Sequence, residues 1–304
     1  MSVLSAPYFH NEDAAIAHLE AILWGDEPVC PHCGGVGKSY KIEGKKSRPG
    51  LRKCGLCRKQ YTVKVGTVFE SSHVPLHKWL QATFLMVSSK KGISAHQLHR
   101  VLEVTYKTAW FMAHRLREAM RDGGLAPFGG NGGVVEVDET FIGHDKTVKP
   151  RGVKKGRGGA HKHKVLSLVD RTTGRARSMV VDDLKAKTLV PILKENIAKE
   201  TRIMTDEAGQ YKFLNQDFAG HDYVRHSQGE YGRGMIHTNT IEGYFSIFKR
   251  GMKGVYQHCA KRHLHRYLAE FDFRYNERQI SDGERQAVML RGVIGKRLTY
   301  QTPS

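Results

Sequence analysis

Four cysteines in two Cys-x-x-Cys pairs constrain this chain more than any other feature. They read Cys30-Pro-His-Cys33 and, twenty residues later, Cys54-Gly-Leu-Cys57. Two such pairs at this separation match a tetrahedral zinc site of four cysteines, each pair forming a tight knuckle. Gly34, Gly35 and Gly55 relieve the turns. Four thiolates close the coordination shell, so the spacing predicts one structural Zn2+ rather than a catalytic one. Strand-like runs at 39–43 and 60–65 make the segment a zinc ribbon. Stable disulfides, the competing use of four cysteines, require an oxidising compartment that nothing else in the chain suggests. His32, within a knuckle, reads as a surface residue or a substitute ligand, and Cys259 as a buried free thiol.

The charge balance points to the partner. The 304 residues hold 49 Lys and Arg against 30 Asp and Glu, a net +19. Such an excess suits a polyanion, through release of counterions from phosphates. The excess is uneven. Residues 1–27 contain five acids and no Lys or Arg, so the remainder carries 49 minus 25, or +24. The acidic head reads as a packing helix with Asn11 as N-cap and Ile16, Leu19, Ile22 and Leu23 as its apolar stripe. No apolar run reaches the roughly 18 residues of a membrane span, and no signal peptide is visible. A cytoplasmic, nucleic-acid-facing protein is expected.

Residues 75–122 have helical periodicity. Ser94 caps a helix to about Leu102 and Thr105 caps the next. The short break between them suggests a helix-turn-helix, whose second helix would offer Tyr106, Lys107, His114, Arg115 and Arg117 to DNA; a plain helical hairpin has the same periodicity. A glycine-rich joint at 123–133 then separates a different texture. Strands are expected at 134–142, 165–170, 176–181, 202–205 and 223–226, with helices at 184–197 and 238–253. Three strands, a helix and two more strands before a long helix is the order of a ribonuclease H-like fold, an α/β mixed sheet with flanking helices. The expected division is 1–27 acidic helix, 28–66 ribbon, 67–125 helical DNA-binding segment, 126–282 ribonuclease H-like domain and 283–304 basic tail.

Three carboxylates carry the chemistry. Asp138 lies on the first strand of that domain, Asp206 just past the fourth, and Glu242 on the helix after the fifth. In a ribonuclease H-like fold these positions meet at one sheet edge. Carboxylates brought together repel one another unless they bind cations, and oxygen ligands suit Mg2+ or Mn2+. Two such ions can serve an in-line phosphoryl transfer.

The motifs resemble a known family. The two cysteine pairs, Val137-Asp138-Glu139-Thr140, Thr205-Asp206-Glu207, the run from His237 through Glu242 to Gly251, and Arg274-Tyr275-Asn276 are similar to those of DDE-type insertion-sequence transposases of the ISXO-like branch with an N-terminal zinc ribbon. The likeness spans about Cys30 to about Asn276. It implies binding of an element's terminal inverted repeats, cleavage of the ends, and joining of their 3′-hydroxyls to target DNA with two Mg2+ ions. It assigns Asp138, Asp206 and Glu242 to metal. It also brings in Lys249, two helical turns after Glu242, and Asn239, one turn before it, as an alternative ligand. His237 could orient a phosphate or simply start the helix. Paired ends imply at least a homodimer. Residues 144–164, with eight Lys and Arg against one acid, read as a loop that tracks DNA. A zinc-ribbon regulator and a ribonuclease H-like nuclease without strand transfer are the competing readings.

Overall fold

The computed structural model describes residues 3–44, 47–123, 126–144, 159 and 161–299. Most of the basic stretch at 144–164 therefore lies outside the described residues. The chain forms two compact units: residues 1–121 with 279–304, and residues 122–278. No helix among the described residues is long and apolar enough to cross a membrane.

The first unit begins with α1 (Glu12–Trp24), capped by the Asn11 side chain, which accepts from the Ala14 amide at 2.9 Å. Its acids have structural work. Glu20 makes a buried ion pair of 2.7 Å with Arg52, and Glu12 accepts the first amides of α2 (Leu76–Ser88), from Leu76 and His77. The ribbon is a three-stranded antiparallel sheet of β1 (Ser39–Lys41), β2 (Arg52–Cys54) and β3 (Gln60–Tyr61), in that order. The middle strand is absent from the sequence reading, because three residues ending on a cysteine show no alternation. α3 (Ala95–Leu102) and α4 (Tyr106–Met120) follow, with Ser94 and Thr105 accepting from the Gln97 and Thr108 amides as caps. The two helices lie three residues apart, but the expected DNA-reading face is corrected. His114, Arg115 and Arg117 are buried, and only Tyr106 and Lys107 of that set are exposed. Arg115 donates to the carbonyls of Val68, Glu70 and Leu298 and so serves the core.

The second unit holds a five-stranded sheet of β4 (Val134–Ile142), β5 (His163–Asp170), β6 (Ala176–Val181), β7 (Arg202–Thr205) and β8 (Gly220–Tyr223). Its order is β6-β5-β4-β7-β8. β4, β5 and β6 run antiparallel, and β7 and β8 are parallel to β4 and to each other. That order and mix of directions is the ribonuclease H-like sheet. The last strand lies at 220–223 rather than 223–226, since pairing to β7 fixes it opposite Arg202–Thr205.

Strand alternation divides the sheet's two faces. Val135, Val137, Leu166 and Leu168 pack with Leu189 and Leu193 of α5 (Ala186–Asn196). On the other face, a short hairpin of β9 (Gly232–Arg233) and β10 (Ile236–His237) leads into α6 (Asn239–Gly251). Val169 and Ala176 meet Ile241, Tyr244 and Phe245 of α6 there. Ile142 and Val165 meet Phe248 and, from α7 (Lys261–Asn276), Leu264 and Phe271. α6 runs into one wider π-type turn at Met252–Tyr256.

The sequence pattern assigns no element to 283–304, yet α8 (Asp282–Arg291) forms there behind a Ser281–Glu284 capping box. It returns to the first unit: Gln286 donates to the Leu80 carbonyl, and Val68 donates its amide to Val293.

Candidate active site

The ribbon's four sulfurs converge. They lie within 4.8 Å of one another, the only such group of potential metal ligands among the described residues. Cys30 and Cys57 stand 3.7 Å apart, as do Cys33 and Cys54. A tetrahedral zinc with Zn–S bonds near 2.3 Å separates its sulfurs by about 3.8 Å. The four thiols thus fit zinc, and none is in a disulfide. His32 is outside the group, exposed and directed at the Gln60 carbonyl. Cys259 is half-buried rather than buried.

The carboxylates come from neighbouring elements of the second unit. β4 and β7 are adjacent and parallel, with Glu136 opposite Met204. Two residues further along each strand, Asp138 in the middle of β4 and Asp206 just past the end of β7 come level. Glu242 lies in the first turn of α6, which covers the face that Glu136 and Asp138 share. These charges act on one another. Burial, and then the negative charges of Glu139, Asp206 and Glu242, push the Asp138 carboxyl up to about 8. Its Oδ1 accepts from the Glu139 amide at 2.7 Å, which offsets part of that. Asp206 accepts from the Ala208 amide at 3.0 Å. Glu242 is exposed, accepts from Thr238 Oγ1 at 3.2 Å and stands 3.7 Å from His226 Nε2. The three carboxylates are near enough for Asp206 and Glu242 to act on the charge of Asp138, but they do not close to the 4.8 Å spacing of the cysteines. Their hard oxygen donors and mutual repulsion fit a divalent cation.

The other expected residues fall as follows. Asn239 is exposed at the first position of α6. Lys249 is half-buried, with Nζ 5.7 Å from the centre of the Phe245 ring, and with Lys162 and Lys253 it lines a cavity of about 420 Å³. His237 Nδ1 stands 2.9 Å from Arg171 Nη2 and 3.3 Å from Glu136 Oε1.

Two acids escaped the sequence reading. Glu139 points to the opposite face from Asp138. There it accepts from Tyr211 Oη and from Gln210 Nε2, and burial raises its pKa. Glu136 is fully buried on the Asp138 face. Its signal was an acid two residues from Asp138 on a valine-rich strand, which places a charge where a core residue belongs.

Two family models match the chain: an ISXO2-like transposase domain over residues 131–276 and a transposase zinc-ribbon domain over residues 10–60. The chain carries an ISXO2-like transposase domain with an N-terminal transposase zinc ribbon. The transposase domain spans the whole five-stranded sheet and ends with α7, and the ribbon match takes in α1. A protein of the transposable element ISH50 of Halobacterium salinarum is 28% identical over 281 residues, 88% of this chain and 91% of that protein. A transposase-like protein of Haemophilus influenzae is 25% identical over 103 residues, 34% of this chain and 82% of its own. The catalytic core domain of HTLV-2 integrase, solved in complex with magnesium, superposes with a TM-score of 0.28 at 12% identity, over 48% of this chain and 86% of that one. The fold rests on the strand order rather than on that loose superposition.

Proposed function

We propose that this transposase binds the terminal inverted repeats of an insertion sequence, cuts the element ends and joins their 3′-hydroxyls to target DNA. The observation that carries the reading is that Asp206, at the end of β7, and Glu242, at the start of α6, are near enough to Asp138 on β4 for their charges to raise its pKa, within a transposase domain. Asp138, Asp206 and Glu242 would hold two Mg2+ or Mn2+ ions. Such ions activate an attacking hydroxyl and stabilise the leaving oxygen of an in-line displacement.

The chain's own residues set the conditions for this. Asp138 must lose its proton to bind a cation, against the push of its neighbours. Tyr211 and Gln210 hold the Glu139 carboxylate on the far face, where its charge keeps the site electronegative. Glu242 begins a helix, and Asn239 one turn earlier is the nearest alternative oxygen ligand. Lys249, Lys253 and Lys162 line one cavity and supply positive charge for a DNA phosphate. The four-cysteine ribbon, with its zinc, and the α3–α4 pair are the parts we assign to end recognition. The working assembly on two ends is at least a dimer.

A binding and cleavage assay on a duplex carrying the element's terminal repeat tests this. Asp138→Ala is expected to bind the repeat as wild type does and to cleave none of it. Cleavage that persists in Asp138→Ala removes the metal role, and a wild-type chain that binds but never cuts favours a regulator.

A further inference from the structure

The buried acid Glu136 links the two sides of the proposed metal site. Its Oε1 accepts from Arg171 Nε at 2.6 Å and lies 3.3 Å from His237 Nδ1. Its Oε2 accepts from the backbone amide of Ile241 at 2.8 Å. That amide is the third of α6, one of those a helix start leaves without an internal partner. Thr238, the N-cap residue, makes no side-chain cap bond. The cap therefore comes from the sheet. Arg171, just after β5, uses its other nitrogens on the Met235 and His237 carbonyls, each at 2.6 Å, and its amide on the Val134 carbonyl. One carboxylate and one guanidinium thus join β4, the β5–β6 turn, the β9–β10 hairpin and the first turn of α6.

The positions of these bonds decide what they do. Ile241 precedes Glu242, and Glu136 is two residues before Asp138 on the same strand face. The Glu136–Ile241 bond therefore ties the backbone beside one proposed ligand to the strand that carries the other. A charged pair with one fully buried partner and one nearly so is an expensive way to fasten a helix, and apolar residues would pack there at least as stably. Its geometric return is directional, since a helix end held by two oxygens and a planar guanidinium cannot slide as an apolar contact can. Displacement of reacting groups by about 1 Å costs on the order of 100-fold in rate.

We propose that Glu136 and Arg171 are positioning residues of the active site, holding α6 against β4 so that Glu242 stays in reach of Asp138 and Asp206. This rests on the metal-site reading above, and the test separates the two. Full-length, zinc-loaded chain is prepared as wild type, Glu136→Gln, Arg171→Lys and Asp138→Ala. Gln keeps the shape of Glu136 but sets an NH2 against donors. Lys keeps the charge of Arg171 but cannot span two carbonyls and a carboxylate. Mn2+ binding is titrated by calorimetry, strand joining is followed against Mg2+ concentration, and repeat binding and melting are measured in parallel. Both positioning variants should bind the repeat within about twofold of wild type, bind Mn2+ roughly 10- to 100-fold more weakly, and need correspondingly more Mg2+ for joining. Wild-type Mn2+ affinity in both variants overturns the proposal. So does a loss of joining that only follows the folded fraction, with the Mg2+ requirement unchanged. If Glu136→Gln does not fold, Arg171→Lys alone decides by the same criteria. Mn2+ affinity of wild type that survives Asp138→Ala instead overturns the metal-site reading itself, and the proposal with it.

Discussion

The Asp138 carboxyl, pushed up to about 8, makes cation binding at this site pH-dependent in a definite direction. A metal takes the ionised form. With a pKa near 8, that form is about 1% of the total at pH 6, about 9% at pH 7 and half at pH 8. Apparent Mn2+ affinity should therefore rise about ninefold from pH 6 to 7 and about fivefold from pH 7 to 8, and level off above about 8.5. Binding at pH 7 should release about one proton, and binding above pH 9 almost none. The same shift acts on stability. The folded pKa lies above the ordinary 3.8, so between about pH 4 and 8 the folded chain holds a proton that the unfolded chain has lost. Metal-free stability should thus fall as pH rises through that window, by at most about 1.4 kcal/mol per unit from this group. Added Mn2+ should restore it most at the alkaline end. Calorimetry of the zinc-loaded chain in buffers of different ionisation enthalpy measures both affinity and proton release. Asp138→Asn should bind weakly and lose the slope. A flat affinity from pH 6 to 8, with no proton released at pH 7, would refute the electrostatic account of the site.

Other outcomes follow from particular contacts. Cys54→Ser, or stripping the zinc with a chelator, should unfold the ribbon, because three strands of two or three residues have little else to hold them; loss of ribbon amide protection with the catalytic unit's intact is the expected exchange pattern. Arg115→Ala should lower the melting temperature by removing donors from three carbonyls, two of them in the chain at 68–70, at a cost of roughly 2–5 kcal/mol. Lys107→Ala should instead reduce repeat binding and its salt dependence, which a filter-binding series across salt concentrations resolves.

Periodicity and spacing made much of this architecture legible. The run 134–142 matches β4 to the residue, and Ser94 and Thr105 cap the helices their positions suggest. Both depend on local chemistry: alternation on a strand, and a hydroxyl that accepts an amide three residues on. The cysteine spacing needed only knuckle geometry. What stayed hidden depends on partners distant in sequence. Arg115 and Arg117 look like DNA-facing charge on a helical wheel, but the wheel does not show that this helix is covered on that side too. β2 exists because β1 and β3 flank it. α8 carries a capping box that local reading can find, yet its buried face, Gln286, Met289 and Leu290, is short and partly polar. At the site, strand position suggested Asp138, Asp206 and Glu242 as a set. Glu136 was missed because its partners, Arg171 and the Ile241 amide, are 35 and 105 residues away.

We infer that this chain joins DNA through those three carboxylates. The most direct measurement is strand transfer of a precut, paired terminal-repeat substrate into target DNA with Mg2+, comparing wild type, Glu242→Ala and Asn239→Ala. Wild type should join in a metal-dependent way, Glu242→Ala should not join at all, and Asn239→Ala should join at a reduced but measurable rate. Joining by Glu242→Ala at the wild-type rate would contradict the claim and move the third ligand to Asn239 or elsewhere.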